Sequence, residues 1–411
     1  MITIDGSRGE GGGQILRNAM SYAALFQQSL RIHSVRAQKN PPGLRAQHKC
    51  SLDIAAEICG GGLIGANIGS HSFDFHPISS SECRFRKQEC KEKLVIDIGT
   101  AGSICLLLQV ALPCWVFNSS RVKLLELRGG TNASLAPQID YMLNVFLPII
   151  SRQCFGYIVA QIDVQTRGYY PIGKGIVQCL LNPILETFQG PLQPIILMER
   201  GHVVSISIQC FYAGKVPRFV ACRMGNAASN YIQKALNPSP VQPTIEIIKH
   251  EPAIGSASGI LIIAKTDTNC IFGASALGSR SEKPERTVEK AAQELLDSLN
   301  SGGCVDAWLQ DQLIIFMALA QGESKIRTGC LTLHTRTAID VACQMTKAAF
   351  EIVKIDSAGQ DDSSSSNHVV MKDDDDANKY GEKGCIPGQH IIICQGVGLR
   401  KEDTTKQKEN E

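Results

Sequence analysis

The sequence predicts an α/β protein assembled from recurring strand, loop and helix units. Two observations carry that expectation. Short β-prone runs such as Ile2–Asp5 and 122–127 alternate with stretches whose apolar residues recur at helical spacing. The joins between them are rich in Gly, Ser and Thr, so each unit reads as a strand, a polar loop and a helix with one apolar face. The units are too dissimilar for a repeat to be demonstrated from sequence alone.

The first strand, Ile2–Asp5, runs into Gly9-Glu10-Gly11-Gly12-Gly13-Gln14-Ile15-Leu16-Arg17 and a helix through Tyr22, Leu25 and Phe26. Consecutive glycines let a backbone approach a ligand closely, and Arg17, about one turn into the helix, could reach an anion. A plain tight turn accounts for the glycines equally well, because Gln14 stands where a dinucleotide fingerprint has its third glycine. A second strand over 30–35 leads to Arg36, Lys39, Pro42, Gly43, Arg45, Gln47 and His48, then a helix carrying Leu52, Ala55 and Ile58. Cations and amides around a Pro-Gly turn make a second candidate phosphate cradle, against the alternative of a solvated loop.

Further along, Ala101-Gly102-Ser103 opens a strongly apolar helix whose one polar interior residue is Gln109, and the strand over 122–127 leads through Gly129-Gly130-Thr131 to a helix near Pro137. The stretch Gly168 to Gly175 nearly matches a P-loop, but Gly175 replaces the Ser/Thr that a P-loop offers to Mg²⁺ and a β-like run follows, so a turn is expected. From 186 to 280 the texture changes to strands around 203–210, 245–249 and 259–266 with a helix around 227–235 and a Pro238-Ser239-Pro240 join. That span reads as a small α/β insertion. The core pattern resumes with a helix over 287–299 and an apolar helix from Trp308 to Leu319, with Asp311 and Gln312 at its start, where Asp311 could simply be a cap.

The stretch from Gly329 to Asp340 reads as a strand delivering His334 to a helix start, with Thr337 and Asp340 as a capping-box variant. A histidine there faces unpaired N–H groups and the positive end of the helix dipole, which favours a neutral, nucleophilic ring beside phosphate. Alone, His334 would more simply be a half-buried structural histidine. A strand over 350–355 and a last strand over 390–394 are expected to pair across an acidic, Ser-rich low-complexity loop at 356–388. Residues 401–411 are expected to be a disordered charged tail.

Composition narrows the class. Residues 356–411 hold 12 acidic and 7 basic side chains, leaving 34 basic and 27 acidic in 1–355, so the folded part is net basic and tolerates a polyanion. The 16 cysteines form no Cys-x-x-Cys pair, which argues for buried or free thiols in a reducing compartment rather than a disulfide scaffold or a zinc site. The most apolar run, 105–117, is broken by Gln109 and Pro113 and is too short for a bilayer core of about 30 Å. Residues 1–6 show no signal-peptide pattern. The expectation is a nuclear or cytoplasmic protein, not secreted and with no membrane partner.

Taken together, the motifs 9–17, 42–48, Ala101-Gly102-Ser103 with Gln109, Gly129-Gly130-Thr131, Gln310-Asp311-Gln312 and Thr332-Leu333-His334-Thr335 resemble the RNA 3′-terminal phosphate cyclase family over nearly the whole chain. The resemblance implies a large catalytic domain of three repeated βαβαββ units, residues 1–185 and 281–400, interrupted by a smaller α/β domain, 186–280. It implies an ATP-dependent conversion of an RNA 3′-phosphate to a 2′,3′-cyclic phosphodiester, through AMP carried on His334 and then on the RNA end. By the same resemblance Gln109, Pro137, Trp308, Asp311 and Gln312 would hold the adenylate. Arg17, Arg36, Lys39, Arg45 and Gln47 would hold phosphates of ATP or RNA. Glu10 would face a divalent cation, Mg²⁺ or Mn²⁺. The oligomeric state is left open, a homodimer being one option.

Three residues depart from the family pattern: Trp308 replaces a tyrosine, Lys39 an arginine, and Lys174 interrupts a glycine triplet. Two other readings compete. A non-catalytic cyclase-like ribosome-assembly protein would lack the histidine, and an enolpyruvyl transferase of related architecture would have no use for one.

Overall fold

The computed structural model describes residues 1–78, 91–119, 121–236, 241–355 and 385–404. Residues 356–384 of the expected acidic loop over 356–388, the join 238–240 and residues 405–411 of the expected tail lie outside the described residues, while Lys401–Thr404, expected to be disordered, forms a short 3-10 helix with Thr404 buried.

Three sheets share one connection order. In the first, β1 (Ile2–Asp5), α1 (Gly13–Leu25), β2 (Leu30–His33), α2 (Ala46–Cys59), β3 (Gly61–Ile64) and β4 (Phe73–Pro77) follow one another. Here β1 runs parallel to β2, with Ile2 opposite Leu30, and β4 is antiparallel to both β2 and β3. The spatial order is therefore first, second, fourth, third strand. The second unit repeats this with β5 (Lys91–Asp97), α3 (Ile104–Phe117), β6 (Val122–Gly129), a mixed α and π helix over 139–155, β7 (Ala160–Gly168) and β8 (Gly175–Leu181). Its first two strands are again parallel and its fourth lies between the second and third. The repeat hidden in the sequence is thus carried by topology.

The third unit begins with the two-residue strand β9 (Ile196–Leu197), which pairs parallel with β15 (Gln321–Thr328). Between them the chain leaves to build a separate four-stranded sheet from β10 (Val203–Ala213), β11 (Thr244–Lys249), β13 (Ala257–Thr266) and β14 (Ile271–Leu277), in the order β11-β10-β13-β14. Helices α4 (Arg218–Ala235) and α5 (Pro284–Asn300) pack on that sheet and on each other. The two-residue strand β12 (Ala253–Ile254) leaves it to extend the second unit's sheet at β7. The third unit then finishes with α6 (Ala307–Gln312), α7 (Ile314–Leu319), β15, α8 (Leu333–Met345), β16 (Ala349–Ile355) and β17 (Gln389–Val397). The expected hairpin of the last two strands forms, Phe350 opposite Cys394, and β17 lies between β16 and β15.

Helix α1 is the pivot between units. Eleven of its thirteen residues are buried, including Ala19, Ala23 and Ala24, and it packs on α2, α3 and α8, one or more helices from each unit. Small side chains at those positions let the helices approach closely, so burial rather than amphipathic exposure fixes this helix.

Three details differ from the sequence reading. The cap offered as the alternative role of Asp311 is supplied by Asp306, whose carboxylate accepts from the N–H groups of Trp308 and Leu309 at 3.0 and 2.8 Å. Asp311 instead lies near the end of the short α6. The helix of His334 is capped by Thr332, which accepts from Thr335 N–H at 3.1 Å, so His334 sits inside the first turn rather than before it. Thr337 has another task, accepting the Glu10 N–H at 3.1 Å. Finally, Cys330 and Cys385 form a disulfide, although free thiols were expected; nine of the other twelve described cysteines are buried.

The near P-loop is the β7–β8 hairpin turn, with Gly173 and Lys174 both at positive φ, 70° and 55°. No helix among the described residues is long and apolar enough to cross a membrane.

Candidate active site

In each unit two parallel strands end and open helices at one edge, so six strand-to-helix junctions are available to face a common space. Ligands of open α/β sheets bind outside the carboxyl ends of such strands. A cavity of 560 Å³ lies there, and all three units contribute to its wall. Glu10, Gln14 and Arg17 come from the first junction, Arg36, Lys39, Gln47 and His48 from the second, Gln109 from α3, Pro137 from the fourth, Trp308 and Asp311 from α6, and His334 from the last.

The glycine-rich loop is shaped by close contacts. Gly9 and Gly11 hold φ near +56° and +57°, which favours glycine. A Cβ on Gly13 would lie 2.7 Å from His48 Nε2 and 2.9 Å from Arg17 Nη1. Glu10 Oε1 accepts the Gln14 N–H at 2.8 Å, in the first turn of α1 where an acidic group suits the helix dipole.

Gln14 joins the two titratable groups at the centre. Its Nε2 donates to Asp311 Oδ2 at 2.7 Å, and its Oε1 lies 2.7 Å from His334 Nδ1. An ionised Asp311 only accepts, so it turns the amide nitrogen toward itself and leaves Oε1 for His334. The Nδ1 of a neutral His334 must then donate, and Nε2 keeps its lone pair with no hydrogen-bond partner among the described residues.

Charge follows from burial. The His334 side chain is 58% exposed at the cavity, yet the concave surround desolvates its cation enough to hold its pKa below the usual value. Glu10, 4.0 Å away, pulls in the opposite direction, while Arg17 and Lys39 push further down. Asp311 is pushed up to about 7 by burial, against the pull of Arg17 and Gln14, and its Oδ1 has no partner among the described residues. His48 is buried and falls to about 3, first through desolvation and then through Arg17, Arg36 and Arg45. It stays neutral, with Nδ1 accepting from Arg45 N–H at 3.2 Å.

Arg17 is 8% exposed, and its guanidinium makes no hydrogen bond to a described residue. A buried fork of donors opening only on a cavity fits an anionic guest such as phosphate. Arg36 is partly committed, donating to the Pro41 and Gly43 carbonyls at 2.9 and 3.1 Å, which orders the loop that carries Lys39. Gln47 accepts from Ser103 N–H at 2.9 Å and so ties the second junction to α3.

Ten of the twelve expected residues meet in the cavity. Arg45 and Gln312 do not line it: Arg45 caps α2, and Gln312 is buried with Nε2 on the Trp308 carbonyl at 2.7 Å. The structure adds Gln14, His48, Leu135 and Glu294. Glu294 Oε1 accepts from the Trp308 indole N–H at 2.8 Å, so the indole has a polar anchor of its own. Glu294, in the middle of α5, carried no sequence signal for this place. Gln14 and His48 did lie within motifs already singled out, at helix starts.

For a divalent cation, the described residues contain no group of three His, Cys, Asp or Glu able to enclose one. Glu10 alone fits the alternative in which a hard cation takes one carboxylate and completes its shell with phosphate oxygens and water.

A family model described as RNA 3′-terminal phosphate cyclase matches residues 8–352. A Dictyostelium discoideum protein named "Probable RNA 3′-terminal phosphate cyclase" is 39% identical over 356 residues, covering 86% of this chain and 78% of its own length. The RNA 3′-terminal phosphate cyclase of Drosophila melanogaster is 37% identical over 354 residues, 86% of this chain and 92% of the relative. That of Pyrococcus abyssi is 36% identical over 353 residues, 86% and 95% respectively. The chain belongs to the RNA 3′-terminal phosphate cyclase family.

Proposed function

We propose that this chain converts an RNA 3′-terminal phosphate into a 2′,3′-cyclic phosphodiester, using ATP and carrying AMP on His334. The observation that supports the reading is the pairing of His334 Nδ1 with Gln14, which leaves Nε2 unprotonated in a cavity that also holds the unpaired guanidinium of Arg17. Nε2 attacks the α-phosphorus of ATP, the bond to the β-phosphate oxygen breaks, and pyrophosphate leaves. An oxygen of the RNA 3′-phosphate then takes the adenylyl group from nitrogen. The adjacent 2′-hydroxyl attacks the activated 3′-phosphorus, its proton passes to water, and AMP departs. Splitting one transfer in this way is nucleophilic catalysis.

The residues divide the work by chemistry. Arg17 and Lys39 offset phosphate charge, and Arg36 holds the loop that presents Lys39. Trp308, Pro137 and Gln109 line the part of the cavity suited to a nucleobase, with Glu294 fixing the indole. Glu10 would hold Mg²⁺ or Mn²⁺, which when bound supplies charge neutralisation for phosphoryl transfer.

The presence of His334 in its hydrogen-bonded place weighs against the non-catalytic ribosome-assembly alternative. The test is incubation with ATP, a divalent cation and an oligoribonucleotide ending in 3′-phosphate. The expected product resists phosphatase and is opened by acid; a 3′ end that stays phosphatase-sensitive with active relatives run in parallel contradicts the reading.

A further inference from the structure

The inserted module has a cavity of its own. It encloses 340 Å³ where the N-terminal ends of α4 and α5 come together, and it shares no residue with the pocket around His334. That volume falls at the lower end of small-molecule sites.

Its chemistry is cationic at the rim and apolar within. Val216, Val220 and Met224 supply an aliphatic wall. Lys215 and Arg280 sit exposed at the rim, and neither has an ion-pair partner among the described residues. Arg223 is already used, paired with Glu285 at 2.8 Å across the two helices, and the one acid of the lining, Glu282, is paired with Lys290 at 2.8 Å. Two long helices also direct their first-turn N–H groups to this end, where anions are favoured.

A second, independent feature points to a guest. Thr287, in the first turns of α5, lines the cavity at 1% exposure, and its Oγ1 has no hydrogen-bond partner among the described residues. A buried hydroxyl left unsatisfied calls for a partner that the protein does not provide.

Helix α5 links this cavity to the catalytic one. Thr287 lines the first and Glu294 the second, seven residues and therefore about two helical turns apart on one face, roughly 10 Å along the axis. We propose that the cavity is a nucleoside-phosphate subsite that takes a backbone phosphate and nucleoside of RNA upstream of the 3′ end bound near His334. The assignment to RNA rests on the cyclase reading; the chemistry alone would also admit a free nucleotide.

The test uses the full chain, with fluorescence anisotropy of a labelled oligoribonucleotide ending in 3′-hydroxyl and cyclisation kinetics on two substrates. One substrate is the same oligonucleotide with a 3′-phosphate, and the other a nucleoside 3′,5′-bisphosphate too short to bridge both cavities. Joint Lys215→Ala and Arg280→Ala substitution is expected to weaken oligonucleotide binding about tenfold and to raise its KM similarly, while kinetics on the bisphosphate stay as in the wild type. Thr287→Val, which keeps shape and removes the unsatisfied hydroxyl, should weaken binding in the same direction without loss of thermal stability. Unchanged KM and unchanged binding of both the oligonucleotide and AMP in both variants overturns the subsite. If AMP binding falls in the variants while oligonucleotide binding does not, the guest is a free nucleotide and the RNA assignment is overturned. Wild type that fails to cyclise, with binding still lost in the variants, overturns the cyclase reading and leaves the subsite standing.

Discussion

His334 Nδ1 lies 2.7 Å from Gln14 Oε1, so a side chain in the first turn of α1 sets the tautomer of a histidine in the first turn of α8. Gln14→Ala removes that acceptor and leaves the ring free to carry its proton on either nitrogen. Loss of a group that orients a functional histidine typically costs about 10- to 100-fold. We expect adenylyl transfer to slow by that amount with little change in KM for ATP. Single-turnover kinetics will separate the two, and a rate within twofold of wild type would remove Gln14 from the account.

The pH profile should show two acid-side groups. Asp311, at about 7, must be ionised to hold the Gln14 amide, so kcat/KM should fall as pH drops through about 7. His334, held below its ordinary value, would cause a second fall at lower pH. In Asp311→Asn the upper limb should vanish, leaving a lower but flatter rate. An unchanged upper limb in that variant would assign it to another group.

Gly13→Ala places a methyl group 2.7 Å from His48 Nε2 and 2.9 Å from Arg17 Nη1. Neither neighbour yields easily, because His48 is buried and tied to the Arg45 backbone and Arg17 is enclosed. Displacement of reacting groups by about 1 Å can cost 10²-fold, and we expect a loss of about that size in kcat/KM for ATP. Titration of ATP binding and of rate will measure it.

Asp306 predicts a stability effect. Its buried carboxylate serves the N–H groups of Trp308, Leu309 and Gly273 and the Tyr141 hydroxyl, the last two at 2.8 and 2.7 Å. Asp306→Ala removes a helix cap and leaves buried donors unmatched, a cost of about 3 kcal/mol in urea unfolding. Asp306→Asn keeps an acceptor and should cost less than half as much.

Much of this was readable in the sequence because it lies in local pattern. Ser103 before an apolar run and Gly12-Gly13 before Ile15 and Leu16 each mark a helix start by composition. The repeat itself was not readable, since β9 is two residues long and its partner β15 lies beyond the whole inserted sheet. Within the site, residues in Gly-rich or cation-rich loops stood out. Glu294 did not: it sits mid-helix among charged residues, and only the approach of Trp308 gives it a role. The alternative of Asp311 as a cap fails because Asp306, five residues earlier, caps this helix through the Trp308 and Leu309 N–H groups, and Asp311 accepts from Gln14 instead.

The central claim is a covalent bond from His334 to AMP. Incubation with α-labelled ATP and Mg²⁺ or Mn²⁺, followed by denaturing electrophoresis, should give an acid-labile, alkali-stable label on the wild-type chain and none on His334→Ala. A label that persists in His334→Ala, or a wild-type chain that takes none, would contradict the account.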